Sequence, residues 1–114
     1  MVQVRIAEER DLADLLSLYA QLSPGGELPA SDLAAARMRE MRAWPGLTLF
    51  VATVDRGVVG TVTLVVVPNL THGGRSWAQV ENMVVDERHR GTGAGGALLD
   101  ACRSVASEAG CYKM

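Results

Sequence analysis

Nine consecutive residues, Arg88-His89-Arg90-Gly91-Thr92-Gly93-Ala94-Gly95-Gly96, hold four glycines and two arginines. Glycines let backbone N–H groups converge with no side chains in the way, and a helix start adds the positive end of its dipole. With Arg88 and Arg90 supplying full charges, this combination suits a pyrophosphate. Thr92 can donate its hydroxyl there or cap the helix that follows. The bland alternative is a flexible helix start, but glycine in a helix costs up to about 1 kcal/mol each, so four together want a reason. Glu81 stands a few residues upstream, a carboxylate able to act as a general base or to remain a solvated strand residue paired with an arginine. Asn69, His72 and Arg75 form a polar group suited to a phosphorylated or polar ligand, although a lone loop histidine is more often solvated. His89 is open between a phosphate contact and solvent. Asp86 and Glu87 read as plain turn residues. Cys102 and Cys111 are too few for a disulfide framework and lack metal-ligand company, so no metal site is expected.

Gly91, Gly93 and Gly96 also spell the GxGxxG dinucleotide fingerprint. That motif requires a following parallel strand with an acidic residue about 20 positions on, and no acid follows Glu108. A Walker A loop is excluded because no Gly-Lys-Ser/Thr occurs.

The positioning elements follow from periodicity. Residues 2–6 alternate as a half-buried strand, and Leu12, Leu15, Leu16, Tyr19 and Leu22 recur at helical spacing behind Asp11, predicting a helix over 11–21 capped by that aspartate. A second helix is predicted over 31–43, with Ser31 and Asp32 as cap candidates and Leu33, Ala34, Met38 and Met41 near one face. Residues 47–54 and 58–67 are β-rich and joined by Asp55-Arg56-Gly57, a tight hairpin. The turn-rich 68–74 leads to a strand over 76–85. Small and apolar residues at i, i+3, i+4 and i+7 then predict a helix over 92–109 that Gly110 stops. Cys102 falls on its apolar face, and Cys111 opens a further strand. The order β-α-α-β-β-β-α-(β) in 114 residues allows one domain, 1–114. Eleven basic and thirteen acidic residues give a net charge of -2, which excludes nucleic-acid binding by blanket phosphate neutralisation. No apolar run is long enough for a membrane span and no export signal is visible, so a cytoplasmic location is expected.

The pattern Arg90-x-x-Gly93-x-Gly95 between strand and amphipathic helix, together with the element order, resembles the GCN5-related N-acetyltransferases. The resemblance covers nearly all of the chain and is most specific from about Asn69 to Lys113. It implies an α/β acyl-CoA N-acyltransferase fold, a mostly antiparallel sheet flanked by helices, and acetyl-CoA as acyl donor to a primary amine of a small molecule. Residue by residue it implies that Arg88, Arg90, Gly91, Thr92, Gly93, Ala94, Gly95 and Gly96 surround the pyrophosphate. The strand Met83-Val84-Val85 would contact the pantetheine arm. The Met83 N–H would hold the oxyanion, Glu81 would serve as base, and Asn69, His72, Arg75 and Glu81 would face the acceptor. Val80-Glu81-Asn82-Met83-Val84-Val85 and Gly110-Cys111-Tyr112-Lys113 are similar to the small-amine and amino-sugar-phosphate acetyltransferases.

Family members typically continue through a strand, a helix and a hairpin, and that part commonly carries a tyrosine that protonates the departing thiolate; Tyr112 does not match it. The strand ending at Val85 is therefore expected to present an open edge, relieved by a homodimer or an exchanged-strand assembly. The ending also leaves open an alternative function as a catalytically impaired acyl-CoA-binding or interaction module.

Overall fold

Alternating side chains make Val2–Ile6 (β1) an edge strand paired antiparallel with Leu47–Val54 (β2). The computed structural model, which describes residues 1–114, extends the sheet through Gly57–Val67 (β3) and Trp77–Val85 (β4) in the order β1-β2-β3-β4. Every neighbouring pair is antiparallel. Leu12–Leu22 (α1) and Ser31–Ala43 (α2) connect β1 to β2, and Ala94–Glu108 (α3) follows β4. This is the α/β architecture and element order expected from the sequence, except that the further strand expected from Cys111 does not form: residues 111–114 carry no strand.

Helices cover both faces, which is why β2 and β3 are apolar on both. Leu98, Cys102 and Ala106 of α3 pack with Phe50, Ala52, Val62 and Leu64 on one side. On the other, Leu15 of α1 and Met38 of α2 pack with Leu49 and Val51. Burying a leucine such as Leu98 contributes about 2 kcal/mol. No helix is long and apolar enough to cross a membrane.

Several local readings change. Asp11 does not cap α1: it is buried, its carboxylate accepts both guanidinium nitrogens of Arg5 at 2.7 and 2.9 Å, and it takes the Glu8 N–H at 2.7 Å. Those three bonds consume the oxygens that a cap would have used. Ser31 and Asp32 lie inside α2, whose flanking residue is Ala30, and Leu33 turns outward while Ala34 and Met38 face the core. In the β2–β3 hairpin it is Asp55 and Arg56 that adopt the left-handed conformation, at φ 49 and 70°, so Gly57 already opens β3. Helix α3 begins at Ala94 rather than Thr92 because Gly93, at φ 92°, breaks the helical course just before it. The Thr92 hydroxyl donates to the His89 carbonyl at 2.6 Å instead of capping.

After α3, Gly110 turns the chain in the left-handed region, as expected of a stop. Tyr112 N–H then donates to Ser76 C=O at 3.0 Å and Ala78 N–H to Lys113 C=O at 2.9 Å. The last residues thus run beside the start of β4 in the same direction and occupy that part of its outer edge. Cys102 is buried and Cys111 half-buried against the same core.

Candidate active site

The turn that leaves β4 is held by one buried carboxylate. Asp86 accepts the Arg88 N–H at 3.1 Å and the Arg88 Nη2 at 3.3 Å, and lies 3.8 Å from His89 Nδ1. The Arg88 backbone N–H, and then its guanidinium, hold the Asp86 carboxyl below the usual carboxylate range. Its own N–H donates to the Val59 carbonyl at 2.8 Å, at the point where β3 carries an extra residue against β2. Glu87 N–H donates to Gln21 Oε1 at 3.0 Å, tying the end of α1 to the turn. Of the two acids read as plain turn residues in the sequence, Asp86 thus anchors the turn through its carboxylate, while Glu87 remains a turn residue that contributes only its backbone N–H. Arg88 keeps 81% of its side chain exposed, and Arg90 is exposed with no ion-pair partner. His89 Nδ1 is buried beside Asp86 without a hydrogen bond.

The glycines of this turn fall into two groups. Gly91 and Gly93 have φ of 83 and 92°, where a side chain is strained. A Cβ on either, or on Gly96, would meet no protein atom within 4 Å. The bare surface at Gly96 is thus demanded neither by its backbone nor by packing, and it adjoins the N–H groups that the first turn of α3 leaves unpaired within the helix. Gly95 faces the sheet instead, since its Cβ would sit 3.3 Å from Met83 Cε and 3.9 Å from Val85 Cγ2. The Ala94 side chain is buried in the core. Gly95 and Ala94 therefore reach the outer surface of the turn only through their backbones. Open N–H donors, a cleared surface and two outward arginines fit a pyrophosphate-bearing group such as coenzyme A.

Above the turn, β4 is irregular. Thr61 pairs with Val84 and Thr63 with Glu81, so Val62 alone opposes Asn82 and Met83. The extra residue is a β-bulge, and Asn82 absorbs it at φ 51°. Its effect on aim is direct. Met83 and Val85 point to the α3 side, where they meet Gly95, whereas Glu81 is directed with its partner Thr63 to the side of α1. Without the bulge, Glu81 and Met83 would share a face. Glu81 is exposed, takes Gln79 Nε2 on Oε2 at 2.9 Å, and has no arginine partner.

The remaining sequence candidates lie elsewhere. Asn69, His72 and Arg75 sit in the β3–β4 connection, at the far end of β4 from the glycine turn. A rise of about 3.3 Å per residue puts Glu81 roughly 13 Å along the strand from Trp77. These side chains brace their own loop: Asn69 Nδ2 donates to Thr71 Oγ1 at 2.9 Å and Arg75 Nε to the His72 carbonyl at 3.1 Å. The His72 ring stacks on Tyr112 with centroids 3.8 Å apart. The structure thus brings Glu81, Met83 and the glycine turn together along one strand and sets the loop group apart. Sequence reasoning missed Asn82 as the bulge residue, although asparagine is among the residues that tolerate the left-handed region. It also missed Thr63 and Tyr19 beneath Glu81, which carried no motif.

The sequence profile of the acetyltransferase (GNAT) family matches residues 12–114. Glucosamine 6-phosphate N-acetyltransferase from Trypanosoma brucei brucei is 32% identical over 115 residues, covering 99% of this chain and 77% of its own. A solved structure from Agrobacterium tumefaciens str. C58, provisionally named an acetyltransferase, is 41% identical and superposes with a TM-score of 0.92 over 97% of this chain and 77% of its own. The crystal structure of a Trypanosoma brucei acetyltransferase gives 32% identity and a TM-score of 0.85, covering 99% and 80%.

Proposed function

The chain belongs to the acetyltransferase (GNAT) family, acetyl-CoA-dependent N-acetyltransferases, and from that premise we propose that its acceptor is the primary amine of an amino sugar phosphate. The observation that carries the acceptor is the 32% identity, across 99% of the chain, to a relative named for glucosamine 6-phosphate. Acetyl-CoA supplies an activated acetyl thioester. Arg88, Arg90 and the N–H groups of residues 93–96 hold its pyrophosphate, and Gly91, Gly93 and Gly96 keep the approach clear. The Met83 N–H donates to the acetyl carbonyl oxygen as negative charge develops there. An amine with a pKa near 10 reaches the site as an ammonium, so Glu81 accepts a proton before nitrogen can attack the thioester carbon. The C–N bond forms as the C–S bond breaks, and the second proton that the nitrogen must shed passes through water to the departing thiolate, leaving an amide, free coenzyme A thiol and a proton on Glu81. The bulge at Asn82 supports this division of labour, since it turns the Glu81 side chain to the α1 side and breaks the β3–β4 register at Met83, whose part is played by its backbone N–H.

Release of free thiol in the presence of glucosamine 6-phosphate, glucosamine or a polyamine tests the acceptor, and Glu81→Gln tests the base. The phosphorylated sugar should be turned over at least tenfold more efficiently than the other two, and Glu81→Gln should lower kcat about 100-fold while acetyl-CoA still binds. Equal turnover of all three amines would remove the phosphate from the proposal, and full activity of Glu81→Gln would remove the base.

A further inference from the structure

Beneath Glu81, on the same side of the sheet, lies a group of hydroxyls that the chemistry above does not use. Thr63, the cross-strand partner of Glu81, is 95% buried, and its Oγ1 has no hydrogen-bond partner. Directly paired residues hold their Cβ atoms about 5 Å apart, within reach of a hydroxyl and a carboxylate. Thr61, also fully buried, spends its hydroxyl proton on the Phe50 carbonyl at 2.8 Å. Tyr19 of α1 lies close to both threonines without a hydrogen bond to Thr63 Oγ1, and burial pushes its phenol pKa up. An unpartnered buried hydroxyl is costly, and valine would fill the same space in a strand at no such cost. Thr63 therefore lacks a partner that its cross-strand neighbour could supply. Glu81 has one to offer: Gln79 occupies Oε2, and Oε1 carries no hydrogen bond.

We propose that Thr63, backed by Tyr19, is a positioning residue for Glu81: in the loaded enzyme the Tyr19 O–H donates to Thr63 Oγ1, and the Thr63 O–H donates to the Glu81 carboxylate. Gln79 and Thr63 then grip the carboxylate from two sides and fix the direction of its remaining lone pairs toward the incoming ammonium. Thr63 exchanges no proton with substrate and acts only through Glu81, so the inference rests on the assignment of Glu81 as base.

The test is a double-mutant cycle. Thr63→Val keeps shape and removes the hydroxyl; it should fold at least as stably as the parent, bind acetyl-CoA with unchanged Kd, and lose about tenfold in kcat with glucosamine 6-phosphate. Thr63→Ser should restore most of that loss. In the Glu81→Gln background Thr63→Val should cost little more. Tyr19→Phe, which removes only the phenol oxygen, should lose about threefold. Full activity of Thr63→Val beside an impaired Glu81→Gln would overturn the role of Thr63 while leaving the base in place. A tenfold loss that persists in the Glu81→Gln background would overturn it too, because Thr63 would then act independently. A fully active Glu81→Gln would instead overturn the base, and this inference with it.

Discussion

Two buried aspartates, each facing an arginine, stand at the two ends of the sheet's chemistry and behave differently. Asp11 grips Arg5 with two bonds of 2.7 and 2.9 Å, and 31% of the Arg5 side chain is exposed. Asp86 meets Arg88 through a single 3.3 Å contact, and that guanidinium stands out in water beside the open glycine turn. The first pair is closed on itself, clamping β1 to the start of α1. The second is half-open, its carboxylate committed to the turn by the Arg88 N–H and its guanidinium left free to meet an anion. Sequence alone presents both as an aspartate a few residues from an arginine. What separates them is geometry: bidentate burial spends both partners on the fold, whereas a single long contact leaves one partner for a ligand.

The largest effect should come from breaking the closed pair. Asp11→Ala strands a partly buried guanidinium and the Glu8 N–H, and should cost about 3 kcal/mol. For a domain this size that is a fall in Tm on the order of 10 °C, read by thermal melts, with acetyl-CoA affinity unchanged once the protein is folded. A loss below about 1 kcal/mol would show that the Arg5 pair is an ordinary surface bridge.

The half-open pair should respond in the opposite currency. Arg88→Glu leaves Tm within about 2 °C but weakens acetyl-CoA roughly tenfold, because an exposed arginine adds little to folding and much to holding a pyrophosphate. Titration calorimetry at two salt concentrations checks it: the parent should weaken with salt more steeply than the variant. An affinity equal to the parent's would assign Arg88 to the turn alone and leave Arg90 as the only charge on the pyrophosphate.

The same contrast explains how much could be read in advance. Element order and the strand–glycine–helix junction were legible because periodicity and glycine spacing are local properties of the chain, whereas helices on both faces of the sheet came only with the family resemblance. The Arg5–Asp11 clamp was not, since an aspartate ahead of a leucine-rich helix satisfies the capping rule equally well and only the fold places Arg5 against it. Nor was the split among Gly93, Gly95 and Gly96 visible, because one motif hides two reasons for glycine, open approach and close packing on Met83. Asn82 shows the same limit: the pairing of Thr63 with Glu81 and of Thr61 with Val84 reveals a bulge that no alternation pattern announces.

The smallest expected effect is in the acid limb of stability. Arg5 is the chief cause of the low Asp11 pKa, and the Arg88 N–H of that of Asp86, so both carboxylates titrate below their ordinary value near 3.8. A depressed carboxylate pKa stabilises the fold fully above the unfolded value and loses that contribution as the pH falls through the folded one. The stability gap between the parent and Asp11→Asn should therefore hold from pH 7 to about 5 and close progressively below about pH 4. For Asp86→Asn the gap should be near zero throughout and vanish in high salt, because water already screens Arg88 and the amide oxygen still accepts the Arg88 N–H. Thermal melts of the three proteins between pH 7 and 3 measure it. A gap for Asp86→Asn as wide as that for Asp11→Asn at neutral pH would mean that the second pair is as closed as the first, and that Arg88 is no longer available to a bound pyrophosphate.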